Sequence, residues 1–237
     1  NETYGNITCS DALTAIKQRV YQKNKYTLAQ LKKALDADFE NAQALREDLL
    51  RAPKFGNDNE AADAMARRVH EQVCLSASSH AKEARLDHYL VVIINNWANT
   101  LLGRFTGATA DGRKQGESLS NANNPSAGMD RSGTTAFLNS LLKLDSDVHA
   151  GSVQNMKFAP SLFGRDLPRL KALMGAYWKQ GGSQAMITVV SRKDLEAAMR
   201  EPEKWGHLMV RVGGFSMRFV ELDRDVQLDI LARTLNE

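Results

Sequence analysis

The chain has 237 residues, 43% of them hydrophobic and 25% charged, the balance of a folded protein with a sizeable core rather than a disordered one. Its net charge of +3 comes from 31 basic and 28 acidic residues mixed along the chain, which argues against a nucleic-acid groove or a polybasic membrane anchor. Two cysteines, Cys9 and Cys74, are too few for a disulfide scaffold and point to a reducing, cytoplasmic compartment.

The chain opens at Asn1 without an initiator Met and without a visible signal peptide, so it is expected to be a piece of something longer. Cys9 is read as preceding a helix. Thr27 and Gln30 form a capping box ahead of "LAQLKKALDADF", where Leu28, Leu31, Leu35 and Phe39 fall on one helical face. A short helix over 42–51 stops before Pro53. After the loop "KFGNDN", Asp58 or Asn59 caps a helix with Ala62, Met65, Val69 and Val73 on one side. "YLVVIINNW", which holds the longest apolar run, Tyr89 to Ile94, is a buried strand and too short to span a bilayer. A long polar, Gly-rich stretch follows, of a length that inside compact domains is usually functional or mobile.

"TTAFLNSLLKL" is then a helix and "SVQNMKF" a strand. "DLPRLKALMGAYWKQGG" is a helix capped by Asp166, with Pro168 in its first turn and Gly181-Gly182 at its end. "QAMITVV" is a strand, "SRKDLEAAMREP" a helix capped by Ser191, "HLMVRV" a strand, and "DRDVQLDILART" the closing helix. Alternation from residue 89 onward predicts an α/β architecture with parallel strands. Gly213-Gly214 lies between the last strand and that closing helix, where a tight strand-to-helix turn is the plain structural reading.

Few constellations point to ordinary catalysis. His70 and Cys74 share the spacing of helical metal ligands, but no second pair completes a site, so no metal is expected. His80 and His88 have no ligand pattern around them. No nucleophile elbow or P-loop occurs, and "GRFTGATADG" lacks the Lys-Ser/Thr that would hold phosphate and magnesium.

The stretch "RVGGFSMRF" changes the reading. It resembles the signature of the glycyl radical enzymes, R-V-x-G-[Y/F]-x-x-x-F, through Arg211, Val212, Gly214, Phe215 and Phe219. "GATADGR", "NPSAGMDRSGTTA", "APKFGNDN" and "EPEKWGHLMVRVGG" are similar to further segments of that family, so the likeness spans most of residues 50–237. The resemblance implies an α/β fold: the second half of a ten-stranded β/α barrel plus a C-terminal glycyl radical domain, with a helical N-terminal third. It divides the chain into a helical periphery over 1–88, barrel strands and helices over 89–204, and the glycyl radical domain over 205–237.

In that family a radical S-adenosylmethionine activating enzyme removes one hydrogen from the glycine, here Gly214, and the radical passes to a cysteine that attacks substrate. No bound cofactor is implied; the radical is a modification of the chain. Glycine suits the role because an α-carbon radical is planar and a Cβ would crowd it. Arg211, Val212, Phe215 and Phe219 would form the radical loop recognised by the activase, the three apolar ones suiting a buried setting. Gly213 occupies the variable position, so alanine there is expected to be tolerated if its backbone angles permit a Cβ.

Neither Cys9 nor Cys74 has the family's "G-C-x-E" context. The chain is therefore expected to be a C-terminal portion, inactive alone, that relays its radical to a cysteine in the remaining N-terminal part. The implied partners are that part, the activase and a small-molecule substrate, with no nucleic acid and no membrane; a homodimer is compatible. The wording after the glycines is closer to the dehydratase and lyase branch than to pyruvate formate-lyase, which implies radical cleavage of a C–O, C–N, C–S or C–C bond. Thr188 departs from the Asn of many relatives. A formate acetyltransferase-like or fumarate-adding transferase, and a non-catalytic radical carrier, are the alternatives.

Overall fold

The computed structural model describes residues 1–164, 166–233 and 235–236. Thr234, in the predicted closing helix, and Glu237, in the predicted closing domain, lie outside them. The first third is helical: α1 (Asn6–Ile16), continued by a π-helical turn over Lys17–Gln22, then α2 (Leu28–Asp36), α3 (Gln43–Leu50) and α4 (Glu60–Ser79). Cys9 lies inside α1, not ahead of it, and is exposed.

The local start signals work as chemistry predicts. Thr27 Oγ1 accepts the Gln30 N–H at 3.1 Å while Gln30 Oε1 accepts the Thr27 N–H at 2.8 Å, a reciprocal cap worth about 1 kcal/mol. Asn59 Oδ1 accepts from the Ala61 N–H and caps α4. Two expected faces shift. Leu28 is exposed at the head of α2, while Leu31 and Phe39 are buried. The buried stripe of α4 is Ala62, Ala66, His70 and Cys74: Ala66 shares a core cluster with Ile7 of α1, and Cys74 one with Val91, Ile93 and Val153; Met65, Val69 and Val73 are only partly buried.

The remainder alternates as expected, with shorter strands. It runs β1 (Val92–Ile93), α5 (Ala98–Arg104), α6 (Thr134–Leu141), β2 (Gly151–Ser152), β3 (Asn155–Phe158), α7 (Leu167–Lys179), β4 (Met186–Val189), α8 (Arg192–Arg200), β5 (Met209–Arg211), β6 (Ser216–Arg218), α9 (Arg224–Ala232) and β7 (Leu235–Asn236). Of the predicted strand over 89–97, only Val92 and Ile93 pair, in parallel with β2. The predicted strand over 152–158 splits, its first residue in β2 and its last four in β3. β3 is the centre of a parallel sheet ordered β4-β3-β7. Asp166 occupies the N-cap of α7 without a side-chain capping bond, whereas Ser191 Oγ caps α8 by accepting the Asp194 N–H at 3.1 Å.

The all-parallel expectation fails at the C-terminus. β5 and β6 form an antiparallel hairpin, Met209 opposite Arg218 and Arg211 opposite Ser216. Gly213-Gly214 is therefore the turn of a hairpin, not a strand-to-helix turn; a single 3-10 turn over Phe219–Glu221 separates the hairpin from α9. Val190, Leu195, Ala198, Val210, Val212, Phe219, Leu222, Val226 and Ile230 form one apolar core that binds α8, the hairpin and α9 together.

Asp11 of α1 is fully buried, and its Oδ1 accepts the Phe55 N–H at 2.9 Å. Burial pushes its pKa from 3.8 up to about 8, against the Phe55 hydrogen bond and the nearby Lys54 charge. The folded pKa lies above the unfolded one, so the folded state holds an extra proton between them and stability falls as pH rises through that window. Asp11→Asn keeps the acceptor and cannot ionise. Its melting temperature relative to wild type is expected to rise between about pH 4 and pH 8; a difference that stays constant with pH contradicts this.

Candidate functional site

The hairpin tip is built by a short list of bonds. Val212 N–H donates to the Phe215 carbonyl at 3.0 Å and closes the turn. Gly214 sits within it at φ +93°, in the left-handed region that favours glycine. Arg211 N–H donates to Thr188 Oγ1 at 2.9 Å, tying β5 to β4. Thr188, the departure noted in the sequence, thus supplies the acceptor that aligns the hairpin. Arg211 Nη1 donates to Ser216 Oγ across the ladder at 3.0 Å.

The motif residues divide by burial. Val212 and Phe219 are wholly buried in the closing core. Phe215 is half-buried and meets the Trp97 ring edge-on, with centroids 5.6 Å apart. Gly214 stands at the tip of the hairpin, exposed in this chain. Phe219 N–H donates to the Leu208 carbonyl at 2.8 Å, and Gln227 Nε2 donates to the Phe219 carbonyl at 3.0 Å. These bonds fasten the end of the motif to Leu208, just ahead of β5, and to α9.

The hairpin rests on the turn between β1 and α5. A Cβ built on Gly213 would lie 2.9 Å from the Asn96 carbonyl oxygen and 3.1 Å from its Cα and N. A Cβ on Gly214 would meet only Asn96 Oδ1 and Ile94 Cγ2, both at 3.6 Å. The expectation that Gly213 tolerates alanine is thereby overturned. Its φ lies outside the left-handed region, but backbone atoms fill the space. The two glycines serve different needs: close approach at Gly213, positive φ and an open α-carbon at Gly214.

Sequence reading missed Asn96, Trp97, Asp229 and Arg233 at this site. The first two lie far away in the chain. Asp229 and Arg233 carry one local signal, opposite charges four residues apart on a helix.

Elsewhere, His70 Nε2 is 2.8 Å from the Asp145 carbonyl oxygen, and its ring meets His149 edge-on. Burial lowers both imidazole pKa values. Among the described residues, no group of three or more His, Cys, Asp or Glu side chains is arranged to hold a metal ion. No helix among them is long and apolar enough to cross a membrane.

Residues 1–103 match the family described as pyruvate formate lyase-like, and residues 119–220, which include the hairpin tip, match the one described as glycine radical. The chain belongs to the glycyl radical enzymes. It is 31% identical over 230 residues to trans-4-hydroxy-L-proline dehydratase of Clostridioides difficile, covering 96% of this chain and 29% of that protein. It is 31% identical over 238 residues to isethionate sulfite-lyase of Nitratidesulfovibrio vulgaris, covering 98% and 29%. Its fold superposes on the glycerol-bound B12-independent glycerol dehydratase of Clostridium butyricum with a TM-score of 0.92 and 38% identity, covering 99% and 30%. The chain thus spans just under a third of the length of these relatives, and its helices and strands are those of a partial α/β barrel with the radical domain attached.

Proposed function

We propose that this chain is the radical-storing C-terminal portion of a glycyl radical lyase, with Gly214 as the radical carbon. The observation that carries the reading is the contrast within the glycine pair. Gly214, at the motif position, stands at φ +93°, where a built Cβ meets nothing nearer than 3.6 Å, whereas a Cβ on Gly213 would lie 2.9 Å from the Asn96 carbonyl oxygen. A carbon that must become planar needs an uncrowded setting, which the Asn96 backbone denies Gly213.

The activating partner is a radical S-adenosylmethionine enzyme. It breaks one Gly214 Cα–H bond and takes the hydrogen atom, leaving an unpaired electron shared with the flanking amide nitrogen and carbonyl. Arg211, Val212, Phe215 and Phe219 are the loop it recognises. Val212 and Phe219 hold that loop in the closing core, while Phe215 stays against Trp97. The radical then passes to a cysteine outside this chain, in the remaining N-terminal part, as the thiol S–H bond breaks and its hydrogen atom returns to the Gly214 α-carbon. Cys9 is exposed on α1, Cys74 is buried in α4 among Val91, Ile93 and Val153, and neither sits in the family's cysteine-loop context. Neither suits a relay.

The relatives are named dehydratase and sulfite-lyase, which favours elimination from a small-molecule substrate over acyl transfer. The proposed division is a helical periphery over 1–88, barrel elements over 89–204 and the radical domain over 205–237, with α8 sharing its core. A cytoplasmic setting suits a chain with two free cysteines.

The test is position-specific. The whole protein that carries this chain is activated anaerobically. Electron paramagnetic resonance is expected to show a doublet, split by the one hydrogen left on the α-carbon. Air is then admitted. Dioxygen adds to the carbon radical, and the peroxyl product fragments the backbone at Gly214, releasing a tail that begins near Phe215. Mass spectrometry that places the cut elsewhere, or finds none, overturns the assignment.

A further inference from the structure

Arg233 follows α9 and reaches back to the strand that leads into the glycine turn. Its guanidinium donates to the carbonyls of Arg211 and Val212 at 3.3 and 3.2 Å. The same group donates from Nε and Nη2 to Asp229 Oδ2 at 3.2 and 2.9 Å. The two side chains are only 15% and 5% exposed, so the pair is shielded from water and its charge-assisted bonds are strong.

Asp229 is itself oriented from the barrel side. Its Oδ1 accepts from Asn99 Nδ2 at 3.3 Å, Asn99 Oδ1 accepts from Asn121 Nδ2 at 2.9 Å, and Asn121 Oδ1 accepts from Asn155 Nδ2 at 2.9 Å. Asn155 opens β3, the central strand of the parallel sheet. A directional run of buried hydrogen bonds therefore joins the barrel sheet to two successive carbonyls just ahead of Gly213-Gly214. A planar fork on consecutive carbonyls fixes both peptide planes, which a single bond would leave free to tilt.

We propose that Arg233, oriented by Asp229 and the Asn99–Asn121–Asn155 run, is the positioning residue that sets where the Gly214 α-carbon stands for hydrogen-atom exchange with the relay thiol. The proposal rests on Gly214 being the radical carbon. In the exchange the thiol S–H bond breaks, a Cα–H bond forms and the electron moves to sulfur; the reverse step restores the glycyl radical. In D2O the thiol carries deuterium. Repeated exchange then places deuterium on Gly214, and the doublet collapses to a singlet. The collapse rate reads the geometry of the relay and needs no substrate.

The experiment follows that collapse in the activated whole protein for wild type, Arg233→Ala, Arg233→Lys and Asp229→Asn. Because a misplacement of about 1 Å costs on the order of 100-fold in rate, Arg233→Ala is expected to slow collapse roughly 10-fold or more. Arg233→Lys keeps the charge but loses the fork, and is expected to recover only part of the rate. Added guanidinium ion is expected to restore Arg233→Ala. If Arg233→Ala does not fold, the isosteric Asp229→Asn carries the test by the same slowing. Collapse at the wild-type rate in the folded variants overturns the proposal. So does slowing that tracks melting temperature and is not restored by guanidinium in Arg233→Ala, or by arginine-to-lysine replacement if Arg233→Ala is unfolded. A wild-type doublet that never collapses in D2O also overturns it, since no thiol exchange then exists to position. A wild type with no doublet overturns instead the reading of Gly214 on which the proposal rests.

Discussion

Gly214→Ala is expected to remove the radical doublet from the activated protein entirely. Two effects act at once. The added methyl crowds a centre that must become planar and obstructs the approach of the activase. The backbone also resists: at φ +93° an L-alanine costs about 1–2 kcal/mol, so the hairpin loses stability as well. Asparagine separates the two effects, because it tolerates positive φ better than alanine. Gly214→Asn is expected to melt closer to wild type than Gly214→Ala and to lack the doublet all the same. A doublet surviving in either variant would show that the unpaired electron sits elsewhere.

Gly213→Ala is expected to damage the same site by a different route. Its Cβ would stand 2.9 Å from the Asn96 carbonyl oxygen and 3.1 Å from two more Asn96 backbone atoms. No flexible side chain can swing aside, so either the hairpin lifts or the β1–α5 turn moves. Overpacking of this kind costs about 1–3 kcal/mol. Asn96→Gly is not expected to rescue it, since the clashing atoms are backbone and remain in glycine. A Gly213→Ala protein that melts like wild type and carries a full doublet would contradict this packing. Because both glycine variants are expected to lose signal, the doublet alone does not rank the two positions. The oxygen cut does, since only the radical carbon fragments.

Part of the molecule was written in short stretches of sequence. The caps at Thr27, Asn59 and Ser191 were legible because each acceptor and the N–H it serves lie within three residues on one chain segment. Most of the helices and strands followed from periodicity, α5, β6 and β7 excepted, and the family followed from nine residues around Gly214. Pairing partners were not read. In "HLMVRVGGFSMRF" the Gly-Gly pair between two alternating runs also fits a hairpin turn, a signal the strand-to-helix reading passed over. The structure decides for the hairpin, with Arg211 opposite Ser216. The buried side of α4 was misjudged because segments distant in the chain, not its own apolar content, decide which side is covered: His70 lies against Asp145 and His149, and Cys74 among Val91, Ile93 and Val153. Gly213 looked free because its variable place in the motif says nothing of Asn96, which only tertiary folding brings against it. Asn99, Asn121 and Asn155 carry no local signal that links them, Asn121 lying in the polar Gly-rich stretch and Asn155 in a predicted strand. Folding lines them up behind Asp229 and Arg233. The dividing physical fact is range: bonds within one helical turn are encoded locally, whereas close approach and buried polar runs depend on where distant segments come to rest.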